Sequence, residues 1–262
     1  MKEIETNKKA WGLIAEDHYK AFKKRLEKET SLINNVITKE LGNISGKKII
    51  HLQCNTGADT ISLARMGATV TGVDLAPENI YYANKLAEDF NVNATFIESD
   101  IMDLKSIHHE KYDIVFTSEG AIGWLPDLKK WGETVRHLLK DDGFVYVNDG
   151  HPYFMTLDEE KLRENQVTIK YPYFSKTPDQ DNSIGGYASE PKEATSYFWM
   201  YTVSDIINAL SEAGLVIEFF NEFDSLAWNN GGMEKIEKGL YQYPYFKGKF
   251  PFQFSVKATV RK

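Results

Sequence analysis

The chain has 262 residues, 42% hydrophobic, 13% aromatic and 26% charged, with a formal net charge of −7. Such a chain is apolar enough to bury a sizeable core, which excludes disorder, and its negative balance argues against a phosphate backbone as main partner and for a small molecule. One cysteine, Cys54, excludes an internal disulfide. No apolar run approaches the ~18 residues that cross a bilayer, and the opening MKEIETNKKAW lacks the apolar core of a secretory signal, so a cytoplasmic protein without a membrane partner is expected.

From Asn7 to Glu40 the pattern is helical and polar, with Trp11, Ile14, Tyr19, Phe22, Leu26, Leu32, Ile33, Val36 and Ile37 on an apolar side. The basic KAFKKRLEKE within it reads as a solvated helix face, because glutamates are interleaved. Glycines at 42 and 46 end this N-terminal helical region, 1–45. Five strands are predicted next, at 47–53, 69–74, 94–98, 112–117 and 143–148. Helices are expected between them over Asp59–Met66, Pro77–Phe90 and Asp127–Leu139. In the second, Pro77 takes the favoured first-turn position, Glu78 lies near the positive helix end, and Ile80, Ala83, Ala87 and Phe90 share one side. Alternation of strand and helix implies a parallel sheet with right-handed crossovers and a ligand at the carboxyl ends of its strands.

From 150 to 200 the rhythm breaks. Tyr153, Phe154, Tyr171, Tyr173, Phe174, Tyr187 and Trp199 are interspersed with Pro152, Pro172, Pro178 and Pro191. A loop of that length is usually functional, and it reads as a lid over the ligand edge; the alternative is a packed side subdomain without ligand contact. A helix Val203–Ala213, a strand Leu215–Glu222, an irregular aromatic stretch around Trp228 and 241–246, and a final strand Phe252–Arg261 follow. The last two strands lack a helical crossover, which permits an antiparallel last strand. The expected fold is α/β: a Rossmann-like, doubly wound, mostly parallel seven-stranded sheet with the last strand antiparallel and helices on both faces. It forms a single domain, with core 46–149 and 201–262 and an aromatic-rich insertion 150–200.

The first strand, loop and helix, KIIHLQCNTGADTISLARMGATVTGVDLAPENI, admit two cofactor readings. A dinucleotide needs G-x-G-x-x-G so that its pyrophosphate can approach bare backbone; those positions fall on Gln53, Asn55 and Ala58, which counts against a nicotinamide-dependent oxidoreductase. S-adenosylmethionine has no phosphate, so side chains are tolerated in the loop. Asp74, at the end of TVTGVD, is placed to accept both ribose hydroxyls; its plainer reading is a strand-end turn aspartate.

Residues 47–149 resemble the core of class I S-adenosylmethionine-dependent methyltransferases of small-molecule type, with HLQC…G in place of the commoner D-x-G-C-G-x-G. GATVTGVDLAPENI, FIESDIMDL, YDIVFTSEGAIGWLPDL and HLLKDDGFVYVND carry the likeness. It implies S-adenosyl-L-methionine as cofactor, with Gln53, Asn55 and Gly57 along its methionine side and Asp74 on the ribose. Leu75 would pack on adenine, with Asp100 and Ile101 at the adenine amine, and Ser118 and Glu119 would face both cofactor and acceptor. His51 stands where most of that family has an acid holding the cofactor's ammonium. A lone histidine in an apolar strand is more often a hydrogen-bonded core residue. Cys54, with no basic partner nearby, reads as a packing residue.

Methyl transfer is an in-line displacement to which the protein contributes alignment, exclusion of water and, where needed, a base. Glu119 and His151, both near strand ends, are the candidate bases. Trp124, Tyr171, Tyr173, Tyr187, Trp199 and Trp228, with His151, are candidates to surround the acceptor, and Trp11 and Tyr19 to close over the cofactor, against the competing reading of each ring as core. No spacing suggests a metal site; His108 and His109 are merely adjacent. The leading reading is a methyltransferase acting on a small molecule. The alternative is a protein that binds S-adenosylmethionine or S-adenosylhomocysteine without catalysis.

Overall fold

The computed structural model describes residues 1–186 and 188–261. Helices α1 (Lys2–Leu26) and α2 (Asn35–Leu41) precede β1 (Lys48–Leu52), α3 (Ala58–Arg65), β2 (Thr69–Asp74), α4 (Pro77–Asp89), β3 (Ala94–Glu98), α5 (Ile101–Ile107), β4 (Tyr112–Ser118), α6 (Leu128–Leu138) and β5 (Leu139–Gly150). A short helix α7 (Glu159–Arg163) is followed by the hairpin β6 (Asp179–Gly186) and β7 (Ser189–Phe198), then α8 (Val203–Glu212) and β8 (Leu215–Phe223). A small hairpin, β9 (Glu234–Glu237) and β10 (Leu240–Gln242), leads to β11 (Gln253–Val260).

Seven strands form one sheet in the order β3-β2-β1-β4-β5-β11-β8. Strands β1 to β5 run parallel, and β11 lies antiparallel between β5 and β8. The order reverses between β1 and β4, which opens a crevice at their carboxyl ends. Both faces are covered, so the central strands are apolar throughout rather than alternating. On one face Trp131, Val135 and Leu138 of α6 and Ile206 and Leu210 of α8 pack on Val115, Val145, Val147 and Val256. On the other, Ile33, Ile37 and Leu63 pack on Ile49, Phe116 and Tyr146. A Cβ at Gly132 would run into the carbonyl of Ala209, so α6 and α8 approach closely only because that position is bare. Among the described residues no helix is long and apolar enough to cross a membrane.

Several boundaries differ from expectation. The N-terminal region is two helices, because the side chain of Asn34 accepts from the Ile37 amide (2.9 Å) and starts α2 afresh. Strand β5 begins at Leu139, and the DDG turn becomes an irregularity in its pairing with β4. Helix α5 was not expected; Asp100 caps it by accepting from Met102 N at 2.9 Å.

The insertion 150–200 is not a lid. None of its described residues lines the main cavity. Its first part packs Phe154, Leu157 and Leu162 against Leu226, Tyr243 and Phe252. The β6–β7 hairpin braces α1 instead: the Asn7 amide donates to Tyr197 O (2.8 Å) and accepts from Tyr197 N (2.7 Å), and Lys192 pairs with Asp17 at 2.6 Å. Of its aromatics, Phe154 and Tyr153 pack on the body, whereas Phe174 is 79% exposed.

Candidate functional site

A cavity of about 350 Å³ lies at the carboxyl ends of β1, β2 and β4, with α1 and residues 227–229 completing its wall. The β1–α3 turn forms its floor. Gln53 (φ 56°), Asn55 (φ 49°) and Gly57 (φ 79°) all take the left-handed conformation. Glycine occupies such positions at no cost, whereas an ordinary side chain costs about 1 kcal/mol, asparagine less. The two side chains present tie the turn down: Gln53 Nε2 donates to Ala121 O (2.7 Å), and Asn55 Oδ1 accepts from Thr56 N (2.6 Å) and stands 3.2 Å from His18 Nδ1. Gly57 stays glycine because a Cβ there would stand 3.0 Å from Ala83 and Phe96.

Asp74 closes β2 with a carboxylate that accepts from Asn55 N (2.8 Å), Ala76 N (3.0 Å) and the Asn79 amide (2.9 Å). The Ala76 bond is the turn interaction of the plainer reading, and the Leu75 amide adds a further donor; the carboxylate also lines the cavity. Burial raises its carboxyl and these donors lower it, with burial the larger effect. Leu75, Asp100 and Ile101 continue the wall on that side.

The other end is rich in acids. Ser118 donates from Oγ to Asp59 Oδ2 at 2.8 Å, and its Oγ stands 3.4 Å from His51 Nε2, whose Nδ1 lies 3.0 Å from Thr60 Oγ1. Burial pushes His51 down to about 3, so it is neutral and structural. Glu119 adopts φ 54°, a strained setting for a non-glycine residue; its amide donates to Asn148 O (2.7 Å) and its Oε1 accepts from the Asn34 amide (3.0 Å). Burial, then the charge of Asp59, holds its carboxyl well above the usual range, and Arg25 opposes that shift. Behind it, buried Asp149 accepts from the amides of Gly120 (2.5 Å), Ala121 (2.9 Å), Ile122 (2.9 Å) and Gly150 (2.6 Å), fixing the loop after β4.

His51 makes the fold sensitive to acid. A base whose folded pKa is lowered is less protonated when folded than when unfolded, so its contribution is complete above about 6.5 and is lost as pH falls toward about 3. Between about pH 7 and pH 5 that loss is about 2 kcal/mol. Ser118 links this ring to the Asp59 carboxylate. Denaturant melts at the two pH values should therefore show a pH dependence smaller by about that amount in His51→Gln; an unchanged dependence counts against a neutral buried ring.

Of the residues singled out from sequence, Trp11, Gln53, Asn55, Asp74, Leu75, Asp100, Ile101, Ser118, Glu119, Trp124 and Trp228 line the cavity together. Others do not. Gly57 lies beneath the turn. Tyr19 turns outward to Asp89 and stacks on Tyr82 (5.1 Å), because the apolar side of α1 there faces α4. His151 points toward the far edge of the sheet: its amide donates to Phe252 O (2.8 Å), its Nδ1 accepts from Tyr153 N (3.1 Å), and its Nε2 stands 3.0 Å from Glu222 of β8. It is therefore no candidate base for this cavity. Tyr173 accepts from Val203 N (3.1 Å), Tyr171 bonds through its amide to Thr156 O (3.0 Å), and Trp199 borders a separate small void. Tyr187 lies outside the described residues.

Sequence reasoning missed Arg25, Asp59, Asn229 and Tyr241 on the cavity wall, and Asp149 behind it. Arg25 was absorbed into a basic run, yet it follows Phe22 by three residues on the stripe that carries Asn7 and Trp11, and that spacing is the signal. Asp59 sits in the first turn of α3, where an acid is ordinary. Among the described residues no group of three His, Cys, Asp or Glu could hold a metal ion.

A family model for a methyltransferase domain matches residues 49–143. A ubiquinone biosynthesis O-methyltransferase of Actinobacillus pleuropneumoniae is 31% identical over 116 residues, covering 43% of this chain and 49% of that protein. One from Salmonella paratyphi A is 30% identical over 112 residues, covering 43% and 46%. The chain thus spans about half the length of these curated relatives. Among solved structures, an S-adenosylmethionine-dependent methyltransferase from Clostridium acetobutylicum shares the fold with a TM-score of 0.58 at 17% identity, covering 87% of this chain and 89% of that one. The DhpI–SAH complex does so with a TM-score of 0.58 at 16% identity, covering 98% and 97%. Residues 49–143 thus match a methyltransferase domain, and the fold is the one seen in solved S-adenosylmethionine-dependent methyltransferases.

Proposed function

We propose that this protein transfers a methyl group from S-adenosylmethionine to an oxygen of a small-molecule acceptor, with Glu119 taking the acceptor's proton. The observation that carries this reading is one cavity at the switch point of the sheet with Asp74 and Asp100 at one end and Glu119 at the other. The wall suits the cofactor: Gln53 Oε1 is buried there without a hydrogen-bond partner among the described residues, and the Asp74 carboxylate lines the cavity. S-adenosylmethionine, when bound, supplies an electrophilic methyl carbon.

Asp74 would hold the ribose hydroxyls, Leu75 and Ile101 would pack on the adenine, and Asp100 would meet its amine. Trp11 and Trp124, edge to face at 5.0 Å, wall off water beside them. Glu119, held by Asn34 and by its own amide bond to Asn148, presents a carboxyl that burial and the charge of Asp59 raise above the ordinary range, which makes it a stronger base than an ordinary carboxylate. Oxygen is favoured over other acceptor atoms because an alcohol or phenol needs a base and because the curated relatives are named O-methyltransferases. The net charge of −7 favours a small acceptor over a nucleic acid.

Calorimetry with S-adenosylhomocysteine and NAD, followed by methyl release from labelled S-adenosylmethionine across a panel of hydroxylated small molecules, tests the reading. Binding of NAD alone overturns it; binding of the sulfur nucleotide with no turnover on any acceptor would favour a non-catalytic binder. Asp74→Ala is expected to weaken S-adenosylhomocysteine by about ten- to a hundred-fold, the loss of charge-assisted hydrogen bonds. An unchanged dissociation constant, with a retained melting transition, removes Asp74 from the ribose.

A further inference from the structure

We propose that Asn34 is a positioning residue for the reaction: its side-chain amide holds Glu119 in the carboxylate form that takes the acceptor's proton. This rests on the reading of Glu119 as the base and assigns a residue that the sequence did not single out.

The orientation of the Asn34 amide is fixed by its own helix. Its Oδ1 accepts from Ile37 N at 2.9 Å to start α2, so the nitrogen is the end turned toward β4 and β5. That nitrogen has two hydrogens and meets two acceptors, Glu119 Oε1 at 3.0 Å and Asn148 Oδ1 at 3.2 Å. It donates and cannot accept. Asn148 Oδ1 also takes the Gln253 amide, and Asn148 O takes the amide of Glu119 itself at 2.7 Å. Asn34, Asn148 and Gln253 are fully buried, so a rotated amide would lose bonds that solvent does not replace. The site is also closed from outside. A Cβ at Gly239 would lie 2.9 Å from Asn34, and Asn35 N donates to Lys238 O (3.1 Å), so the turn of the β9–β10 hairpin seats on this residue.

A group that only donates distinguishes the two states of its partner, because its hydrogen bond to a charged oxygen is stronger than to a neutral one. Asn34 therefore favours the charged Glu119, and it does so from behind the cavity wall, which it does not join. The other groups around Glu119 pull both ways: Asp59 on α3 and Asp149 near the end of β5 disfavour its charge, and Arg25 on α1 favours it. His51 on β1 is neutral, while Asp74 on β2 and Tyr241 on β10 line the same cavity. Among the described residues, Asn34 is the one side chain that hydrogen-bonds the Glu119 carboxylate. With Oε1 tied in this way, Oε2 is the oxygen left to an acceptor hydroxyl.

The test follows the Glu119 carboxyl by carbon NMR titration in glutamate-labelled protein saturated with S-adenosylhomocysteine, its signal identified by its loss in Glu119→Gln. Asn34→Ser keeps an oxygen able to cap α2 but withdraws the donor from Glu119, and Asn34→Asp keeps the shape while replacing the donor with an acceptor. In both, the titration midpoint should move up by about one to two pH units, the loss of a hydrogen bond to a charged group, while S-adenosylhomocysteine binds within about twofold of wild type. An unmoved midpoint in either folded variant overturns the assignment; lowered stability in urea melts with no such movement is the signature of a helix cap alone. Turnover on the hydroxylated panel separates the two readings. If Glu119→Gln retains it, the base reading itself falls, whereas its loss there with an unmoved midpoint in the Asn34 variants overturns Asn34 alone.

Discussion

Glu119→Gln is expected to lower methyl turnover by about 10²- to 10⁴-fold while S-adenosylhomocysteine binds nearly as before, because a positioned general base contributes on that scale and the amide keeps the shape. Glu119 is the one cavity acid placed just past β4 whose amide, side chain and following loop are each held: by Asn148 O at 2.7 Å, by the Asn34 amide at 3.0 Å, and by Asp149 beneath residues 120–122. The pH profile carries the sign. Burial and the neighbouring charges of Asp59 and Asp149 raise its carboxyl, so the base is protonated and idle at low pH, and turnover climbs as pH rises through that elevated pKa. Arg25 and Asn34 work in the opposite direction. In the variant this acid limb should vanish along with most of the activity; a variant that retains both the rate and the limb excludes Glu119 as the base.

Asp149→Ala is expected to cost about 3–5 kcal/mol of stability, because a buried anion that satisfies a whole turn leaves several amides facing nothing. Four amides, from Gly120, Ala121, Ile122 and Gly150, converge on this carboxylate. The same turn gives Gln53 its carbonyl partner at Ala121 and carries the cavity ring of Trp124. Losing it should therefore disorder both the loop after β4 and the floor of the cavity, so that at temperatures where the variant still folds its affinity for S-adenosylhomocysteine also falls. Urea unfolding gives the first quantity and calorimetry the second. A change below about 1 kcal/mol would mean that water or a relaxed turn replaces the carboxylate.

The strands of the parallel half of the sheet and many of the positions that line the cavity were legible in the sequence because they depend on local patterns. Strands β1 to β4 are short apolar runs bounded by turn residues, and α4 announces itself through Pro77 at its start and the spacing of Ala83 and Ala87. The loop after β1 and the acid at the end of β2 lie within one strand–helix–strand unit, so chain order alone carries them to one place. That is why Gln53, Asn55, Asp74, Asp100, Ser118 and Glu119 reach the same cavity.

What the sequence could not determine is where residues far apart in the chain meet. Whether the aromatics of 150–200 face a ligand or each other depends on how the β6–β7 hairpin docks on α1 through Asn7 and Tyr197, 190 residues apart. His151 and Glu119 look equally well placed as strand-end residues; only the antiparallel insertion of β11 carries the histidine toward Glu222 and away from the cavity. Arg25 belongs to the site because α1 crosses the sheet's carboxyl edge, and Asp59 because Ser118 of β4 meets it there. Periodicity along a chain reports which side of an element is buried, but the partner that buries it is set by long-range packing, and only the tertiary structure decided which charges face the cavity.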